Sequence, residues 1–519
     1  MNSNAKASLP FVYAAGLYLV IVGVLCIRVL ALTHGQQLYV IDDTYIHLSV
    51  AKNLLYHGVY GVSASEISFP SSSIAWPYLL MIFGKLGLFK VWLPLALNVV
   101  SALLLLWTSN LFLMANQVRF GWRVLSLCLL VLAYPLPAVT FMALEHITFS
   151  WLFVLFLWQL QRVLGRPEST EEFGWLVVIG TLLTCFRFEG SFVIACTSCL
   201  LLLRRQFGRA IALAVAGAAP LGAFASYSLR HGGMAVPNSL VMKTHASGNV
   251  VLAHLGFLTV HYFFFWRGGL AGSLAVLMWL VWSKTDKQSP LVLVSLVLLG
   301  TSLVHMLLAS VATARYEAYL IAAALLLSIP LLVQRPNVPT RAKVGIAIAL
   351  VPLVLYRGVW TTKTVPVGAR SIYEQQYLAA KFFARYYNGA SLMASDIGVM
   401  TYLPYIRCLD LDGLGSNEVA RAVSQNRFTS SMLIQMVAER GVRAGFTFPM
   451  MLPEKSQWPA GWRDVGTWTE PYPHGATAGE PTIHFYATTP EEATLLRQHL
   501  QEFEAELPSE VVVRYSPIS

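Results

Sequence analysis

The chain has 519 residues, 56% of them hydrophobic and only 12% charged, with a formal net charge of +10 and a mean hydropathy of +0.60. Soluble domains carry roughly a quarter charged residues, so this composition excludes an ordinary soluble enzyme and points to a membrane protein. Up to Arg357 there are 23 basic and 10 acidic residues, against 13 and 16 beyond it; positive charge on the apolar part serves cytoplasmic anchoring, not nucleic-acid binding.

The start, MNSNAKASLP, has one lysine and no small-residue cleavage site after the first apolar run, LYLVIVGVLCIRVLAL. That run reads as a retained anchor and not a signal peptide. Apolar runs of about 20 residues cross a bilayer. On that length the chain divides into about eleven spans, near 11–33, 91–114, 124–142, 146–163, 173–186, 190–203, 210–228, 268–283, 289–309, 317–334 and 344–361. Of six cysteines, five lie in apolar runs and Cys408 stands alone in the tail, with no disulfide framework or metal-ligand spacing. Cys196 and Cys199 form a CxxC in mid-span and are read as packing.

With the N-terminus inside, the inner loops hold Arg119 and Arg123, then Arg162 and Arg166, then Arg204, Arg205 and Arg209. Lys284 and Lys287 follow, then Arg335, Arg341 and Lys343. Every tight inner loop is then basic, as the positive-inside rule asks, and an odd span count puts the tail on the outer face. Four acids, Glu168, Glu171, Glu172 and Asp286, fall among these basic residues. The other six, Asp42, Asp43, Glu66, Glu145, Glu189 and Glu317, fall at outer ends of spans or in outer loops. Carboxylates at membrane depth cost about 2.5–3.5 kcal/mol each and are kept for function or pairing. With Arg187, Lys243 and Arg315 beside them, the six read as one outer polar site.

The long first outer loop, about 34–90, opens with IDDTYIHLSVAKNLLYHG. Ile46, Val50, Leu54 and Leu55 recur at helical spacing, predicting a helix in the interface with its apolar side on lipid or protein. Asp42 and Asp43 stand at its N-cap and first turn, where carboxylates are favoured. One cap explains one of them; two acids at a lipid boundary exceed what capping needs. SSSIAWPYLLMIFGKLGLF then predicts a partly inserted or re-entrant element. Glu145 and His146 lie at an outer turn, as a cap or as site residues. Arg187 and Glu189 flank Phe188 at another, either as an ion pair bracing the loop or as a hold for an anion or hydroxyl. Lys243 and His245 follow a Pro-Asn turn, and a lysine after apolar Leu-Val-Met suits capture of a lipid phosphate. Arg315 and Glu317 open a later span, and arginine suits bidentate phosphate contact.

Beyond Thr362 the pattern changes. IYEQQYLAAKFFARYY and EEATLLRQHLQEFEAEL read as helices, and ASLMASDIGVMTYLP, IRCLDLDGLG, VRAGFTFP and TIHFYATT as strands with turns. The expectation is a polytopic α-helical membrane protein, residues 1–361, with a C-terminal soluble α/β domain, 362–519. The tail lacks a Gly-rich nucleotide loop.

These motifs resemble the GT-C class of polytopic glycosyltransferases, and within it the bacterial branch that includes mycobacterial-type terminal arabinofuranosyltransferases. DDTYIHLSVAKNLLYHG is similar to that branch's DDAYI and helix ending in NL..G, and SSSIAWP to its Ser/Thr-Pro-Leu-Trp loop. MALEH, RFEG and VPNSLVMK resemble its GMET, RPDG or RPEG, and PNS...K elements, and YLPYIRCLDLDGL resembles its tail element. Phe188 stands where the branch has Pro. The motifs follow the branch's order over most of the chain.

The resemblance implies a multi-pass protein of the bacterial inner (plasma) membrane, with its active site and tail on the periplasmic side. It implies direct transfer, with inversion, of a sugar from a polyprenyl-phosphate donor, arabinofuranose first. A mannosyl, hexosyl or aminoarabinose-type donor is the alternative. The acceptor would be an envelope glycan, a lipid or a pilin-like protein. Such chemistry asks for a carboxylate base and for cations on the leaving phosphate. Asp42 or Asp43 would be the base, with the other orienting hydroxyls. Lys243 and Arg315, and less directly Arg187, would face the phosphate. Glu145, His146, Glu189, His245 and Glu317 would line the sugar or acceptor pocket. No cofactor is demanded; the acids could bind a divalent cation, but no ligand spacing requires it. A transporter should show inverted repeats or mid-span charges, and only Arg28 and His305 lie well inside spans. A non-catalytic assembly subunit would tolerate loss of both Asp42 and Asp43.

Overall fold

The computed structural model describes residues 3–246, 268–283, 286–308, 315–334, 339–449, 452, 459–470 and 480–517. The chain forms two compact units. One comprises Met1–Leu25, Pro94–Ala223 and Ser247–Lys363, and the other Cys26–Leu93, Phe224–Ala246 and Thr364–Ser519.

The first unit is helical. Among the described residues five helices of the chain are long and apolar enough to cross a membrane: Ala7–Leu32, Leu93–Ala115, His146–Gly165, Phe207–Arg230 and Pro290–Leu308. A sixth arises if Phe120–Ala133 and Leu136–Met142, bent by 40° at their junction, act as one span. Gly190–Leu203, Leu270–Trp282 and Ala318–Val333 are shorter apolar helices. Among the described residues five or six helices therefore reach the length of a bilayer crossing, and other apolar runs form shorter helices.

Burial separates two kinds of helix. In Ala318–Val333 nearly every residue is buried, as expected of a helix apolar all round and packed inside a bundle. The windows in Ala7–Leu32 and Phe207–Arg230 are only 28% and 22% buried, leaving Val20, Ile27, Ile211 and Val215 outward. Such apolar surface suits lipid. Between helices, small residues permit close approach. A Cβ added at Gly358 would sit 1.6 Å from the Leu132 carbonyl oxygen, and one at Gly217 would sit 2.4 Å from Ile194 Cδ1. Hydroxyl pairs cross the same interfaces, Tyr18 with Thr140 and Ser101 with Thr148, both at 2.8 Å.

The second unit combines the first loop with the tail. Its sheet has the order β2-β1-β3-β5-β4-β6, where β1 is Ser391–Ala394, β2 Arg407–Asp410, β3 Ala444–Thr447, β4 Arg463–Thr469, β5 Thr482–Ala487 and β6 Val512–Tyr515. β1 is parallel to β2 and β3, and the remaining pairs are antiparallel. One cluster packs Met393, Leu409, Leu433, Val437 and Tyr486. Neighbouring residues on the strands point the other way, and there Phe382 meets Trp468, Phe485 and Phe503 at ring separations of 5.6–6.0 Å. The tail thus contributes the sheet of this unit and the helices packed on it.

The Asp43–His57 helix differs from its sequence pattern. It ends with Gly58 in the left-handed region, φ 70°, its N–H returning to the Asn53 carbonyl. Thr44 to Asn53 are buried without interruption, so protein surrounds this stretch, and it does not lie as an amphipathic element on lipid. Its polar residues tolerate burial because each bonds. Asn53 Nδ2 donates to the Gly61 carbonyl at 2.8 Å, and His47 Nδ1 lies 3.3 Å from the Ser71 hydroxyl. The apolar element after the Ser/Pro loop is the eleven-residue helix Ala75–Lys85.

Replacing Gly358 with Ala forces two helix backbones apart and should cost about 1–3 kcal/mol, lowering the melting temperature in detergent. Gly16→Ala, which meets nothing within 4 Å, should leave it unchanged; equal behaviour would contradict this packing.

Candidate active site

In the second unit Asp42 occupies the N-cap position of the Asp43–His57 helix, yet its side chain does not cap that helix. It turns to the short helix Gly398–Tyr402. The Gly398 N–H donates to Asp42 Oδ2 at 2.5 Å and the Val399 N–H to Oδ1 at 3.0 Å. Glycine is required at 398, since a Cβ there would lie 2.2 Å from the Asp42 carbonyl oxygen. The same long helix grips the short one further along. The Thr401 hydroxyl donates to Ser49 Oγ at 2.9 Å, and Lys52 Nζ donates to the carbonyls of Thr401 and Tyr402 at 3.0 and 2.7 Å. A lysine on terminal carbonyls also complements the helix dipole. Burial pulls the Lys52 ammonium down to about 8.

Other carboxylates surround Asp42. Asp396 follows β1 and accepts from Gln376 Nε2 at 2.6 Å. Asp410 closes β2 and accepts from the amides of Asp412 (2.9 Å) and Gly415 (2.5 Å). The loops at the carboxyl ends of parallel strands are where α/β sheets place ligands. Burial, and then the Asp396 carboxylate, raise Asp42 well above the ordinary carboxylate range, against the opposing pull of its two amide donors. Asp43 adds its charge to the field on both Asp42 and Asp396. Burial brings Asp410 up to about 7 and raises Asp412 strongly, the latter helped by the charges of Asp410, Asp396 and Asp42. Asp42, Asp43, Asp396 and Asp412 all keep some surface open to solvent, whereas Asp410 is closed. No group of three or more His, Cys, Asp or Glu among the described residues is arranged to hold a metal ion. Glu66 is paired with Arg440 at 3.1 Å.

Lys243 and His245 lie on the helix Asn238–Ala246 of this unit, and their side chains fall outside the described residues. The helix is tied down by Asn238, whose Nδ2 donates to the Leu414 carbonyl at 3.1 Å and to Asn417 Oδ1 at 3.0 Å. That bond joins the PNS motif to the turn that follows Asp412.

In the first unit Glu145, His146, Arg187 and Glu189 come together. Arg187 donates from Nη1 to Glu145 Oε1 at 2.6 Å and from Nη2 to Glu189 Oε1 at 2.5 Å, and its Nε donates to Glu189 Oε2 at 3.2 Å. His146 Nδ1 lies 2.9 Å from Nη1, and Tyr316 covers the guanidinium at 5.2 Å. Arg187 and Glu145 are buried. Two carboxylates and a ring thus surround this arginine, which supports its reading as a brace. Arg315 donates to the Tyr316 hydroxyl at 3.1 Å. Glu317 lies 3.7 Å from Arg357, both buried, and the Tyr319 hydroxyl meets His305 Nδ1 at 3.1 Å.

Sequence reasoning passed over Asp396, Asp410, Asp412, Lys52 and Arg357. The first three had a signal in SD after one apolar strand and LDLDG at the end of another. Arg357 had none, ending an apolar run like any flanking charge.

The chain matches the model of a domain of unknown function (DUF8728) over residues 370–486. No curated protein matches it. Among solved structures it is similar to ArnT from Cupriavidus metallidurans, bound to undecaprenyl phosphate, with a TM-score of 0.50 and 11% identity over 91% of this chain and 98% of that one. The chain shares the fold of ArnT. That fold and the long apolar helices are those of a membrane protein. The archaeal oligosaccharyltransferase AglB from Archaeoglobus fulgidus, in complex with an inhibitory peptide and a dolichol-phosphate, gives a TM-score of 0.48 at 10% identity, over 97% and 76% of the two chains. The mycobacterial arabinofuranosyltransferase AftD gives 0.43 at 16%, over 91% and 41%.

Removing Arg187 leaves buried carboxylates uncompensated, which costs about 3–5 kcal/mol. Arg187→Met should destabilise the protein by that order in denaturant titrations in detergent. Adding Glu145→Gln should recover part of the loss; no recovery would mean the pair does not act as a unit.

Proposed function

We propose that this chain is an inverting membrane glycosyltransferase that moves a sugar from a polyprenyl-phosphate donor to an acceptor hydroxyl. The observation that carries the reading is the Asp42 carboxylate, fixed by two backbone amides and raised by burial. A general base needs such fixed orientation and a pKa nearer the working pH. The shared fold with ArnT, whose structure holds undecaprenyl phosphate, supports a lipid-phosphate donor.

Asp42 takes the proton of the acceptor hydroxyl as that oxygen attacks the anomeric carbon. The bond from that carbon to the phosphate oxygen breaks, and the polyprenyl phosphate leaves with the electron pair. No leaving-group acid is needed because the phosphate departs ionised. Asp43 orients hydroxyls of sugar or acceptor. Lys243 and Arg315 are the cations for the leaving phosphate. Arg187, already held by Glu145 and Glu189, is the least suited of the three and braces its loop. His146, His245 and Glu317 serve sugar or acceptor binding. Arabinofuranose is the first donor to test, then hexose or aminoarabinose. The acceptor is an envelope glycan, a lipid or a pilin-like protein on the periplasmic face of the bacterial inner membrane.

Transfer from radiolabelled polyprenyl-phosphate sugars should fall by about 10²–10⁴ in Asp42→Asn, with a smaller loss in Asp43→Asn. Full activity in both would overturn the reading. Asp42 works as the carboxylate, so activity should decline as pH falls through its raised pKa. Asp396→Asn removes a like charge, lowers that pKa and should move the acidic limb of the rate profile to lower pH. A shift upward would contradict the assignment.

A further inference from the structure

A cleft of about 250 Å³ opens in the second unit and is lined by parts of the Asp43–His57 helix, the 62–65 turn and the 404–407 stretch, with Asp42 outside its lining. Its lining holds Lys52 and Arg407 and no carboxylate among twelve residues. Lys52 is only 8% exposed. It gives two protons to the Thr401 and Tyr402 carbonyls and keeps a third. Arg407 is exposed on β2, and among the described residues its guanidinium has no hydrogen bond or ion pair. The Ser63 hydroxyl donates to the Ile406 carbonyl at 3.3 Å. Ser65 therefore donates to Ser63, 2.9 Å away, which leaves Ser65 Oγ as an acceptor. Tyr405 is 55% exposed, with its ring 4.8 Å from Lys52 Nζ.

Two cations in a lining that holds no carboxylate select an anion, and arginine's fork suits the paired oxygens of phosphate or carboxylate. A hydroxyl acceptor and an exposed aromatic face suit the rest of a sugar ring. The volume lies below that of the usual drug-sized pocket, about 300–1,000 Å³, and is in keeping with a single sugar unit. We propose that this cleft binds the oxyanion of a phosphorylated or carboxylated sugar, held by Lys52 and Arg407 with Tyr405 against the ring. This goes beyond the transfer reaction, which needs no second sugar site.

The test is calorimetric titration of the full-length protein in detergent micelles with glucose 6-phosphate, glucuronate and glucose. At least one acidic sugar should bind saturably and about tenfold or more tighter than glucose, as expected for hydrogen bonds to charged groups. The better of the two identifies phosphate or carboxylate as the anion. Arg407→Ala should weaken that binding about tenfold and Tyr405→Leu by a smaller factor, whereas Arg427→Ala, at an exposed arginine elsewhere, should not change it. Absence of saturable binding, equal affinity for glucose, or an unaffected Arg407→Ala protein would each overturn the proposal. Because Asp43→Asn, which leaves the bonds of Asp42 in place, should lower transfer and keep the binding, the two losses are separable.

Discussion

The second unit depends on one carboxylate accepting two amides. Asp42 could have capped its own helix and instead takes the Gly398 and Val399 N–H groups, so the first loop and the tail meet backbone to side chain. Once that bond is set, Ser49 and Lys52 fall on the remaining length of the short helix. A helix is thereby held at both ends and in its middle by residues of one partner. The arrangement is electrostatically ordered, with an acid at the amide end and a base at the carbonyl end. Burial of the polar side chains of the Asp43–His57 helix is then no anomaly, since Ser49, Lys52 and Asn53 each have a bond.

The first unit handles charge differently. Arg187 lies among Glu145, Glu189, His146 and Tyr316, and Arg357 beside Glu317. Charges in an apolar helical bundle survive only when opposed, and here the opposition is close to saturation around Arg187. Such a network specifies helix arrangement more than it supplies reactive groups. Around Asp42 the balance is reversed: carboxylates outnumber cations, so the acids raise one another's pKa. That asymmetry is the ground on which we propose the Asp42 region, and not Arg187, as the seat of proton transfer.

How much was legible in the sequence follows from how local each feature is. The apolar runs and the helix opened by Asp42 and Asp43 are local, and their residues carry the signal. The strands of the tail were visible for the same reason. The union of loop and tail was not, because the bond between Asp42 and Gly398 spans 356 positions. Without that partner the polar residues of the Asp43–His57 helix look like a wet face, and an interface helix is the natural reading. Asp396, Asp410 and Asp412 passed for solvated tail charge, since a soluble domain is expected to carry some. Their position after strands becomes informative only once the sheet brings the strand ends together. Hydropathy alone does not distinguish a helix buried in protein, such as Ala318–Val333, from one facing lipid.

The 356-position separation has a consequence for biosynthesis. A ribosome that has released the Asp pair still has most of the chain to make before Gly398 and Val399 exist. Until then the two carboxylates have no amide seat, and the elements that bury the Asp43–His57 helix from the tail are absent. The unit therefore assembles late, after the intervening apolar helices have been delivered to the bilayer. A nascent chain interrupted before residue 398 would carry both acids yet could not orient the first of them, which ties the readiness of the site to completion of translation.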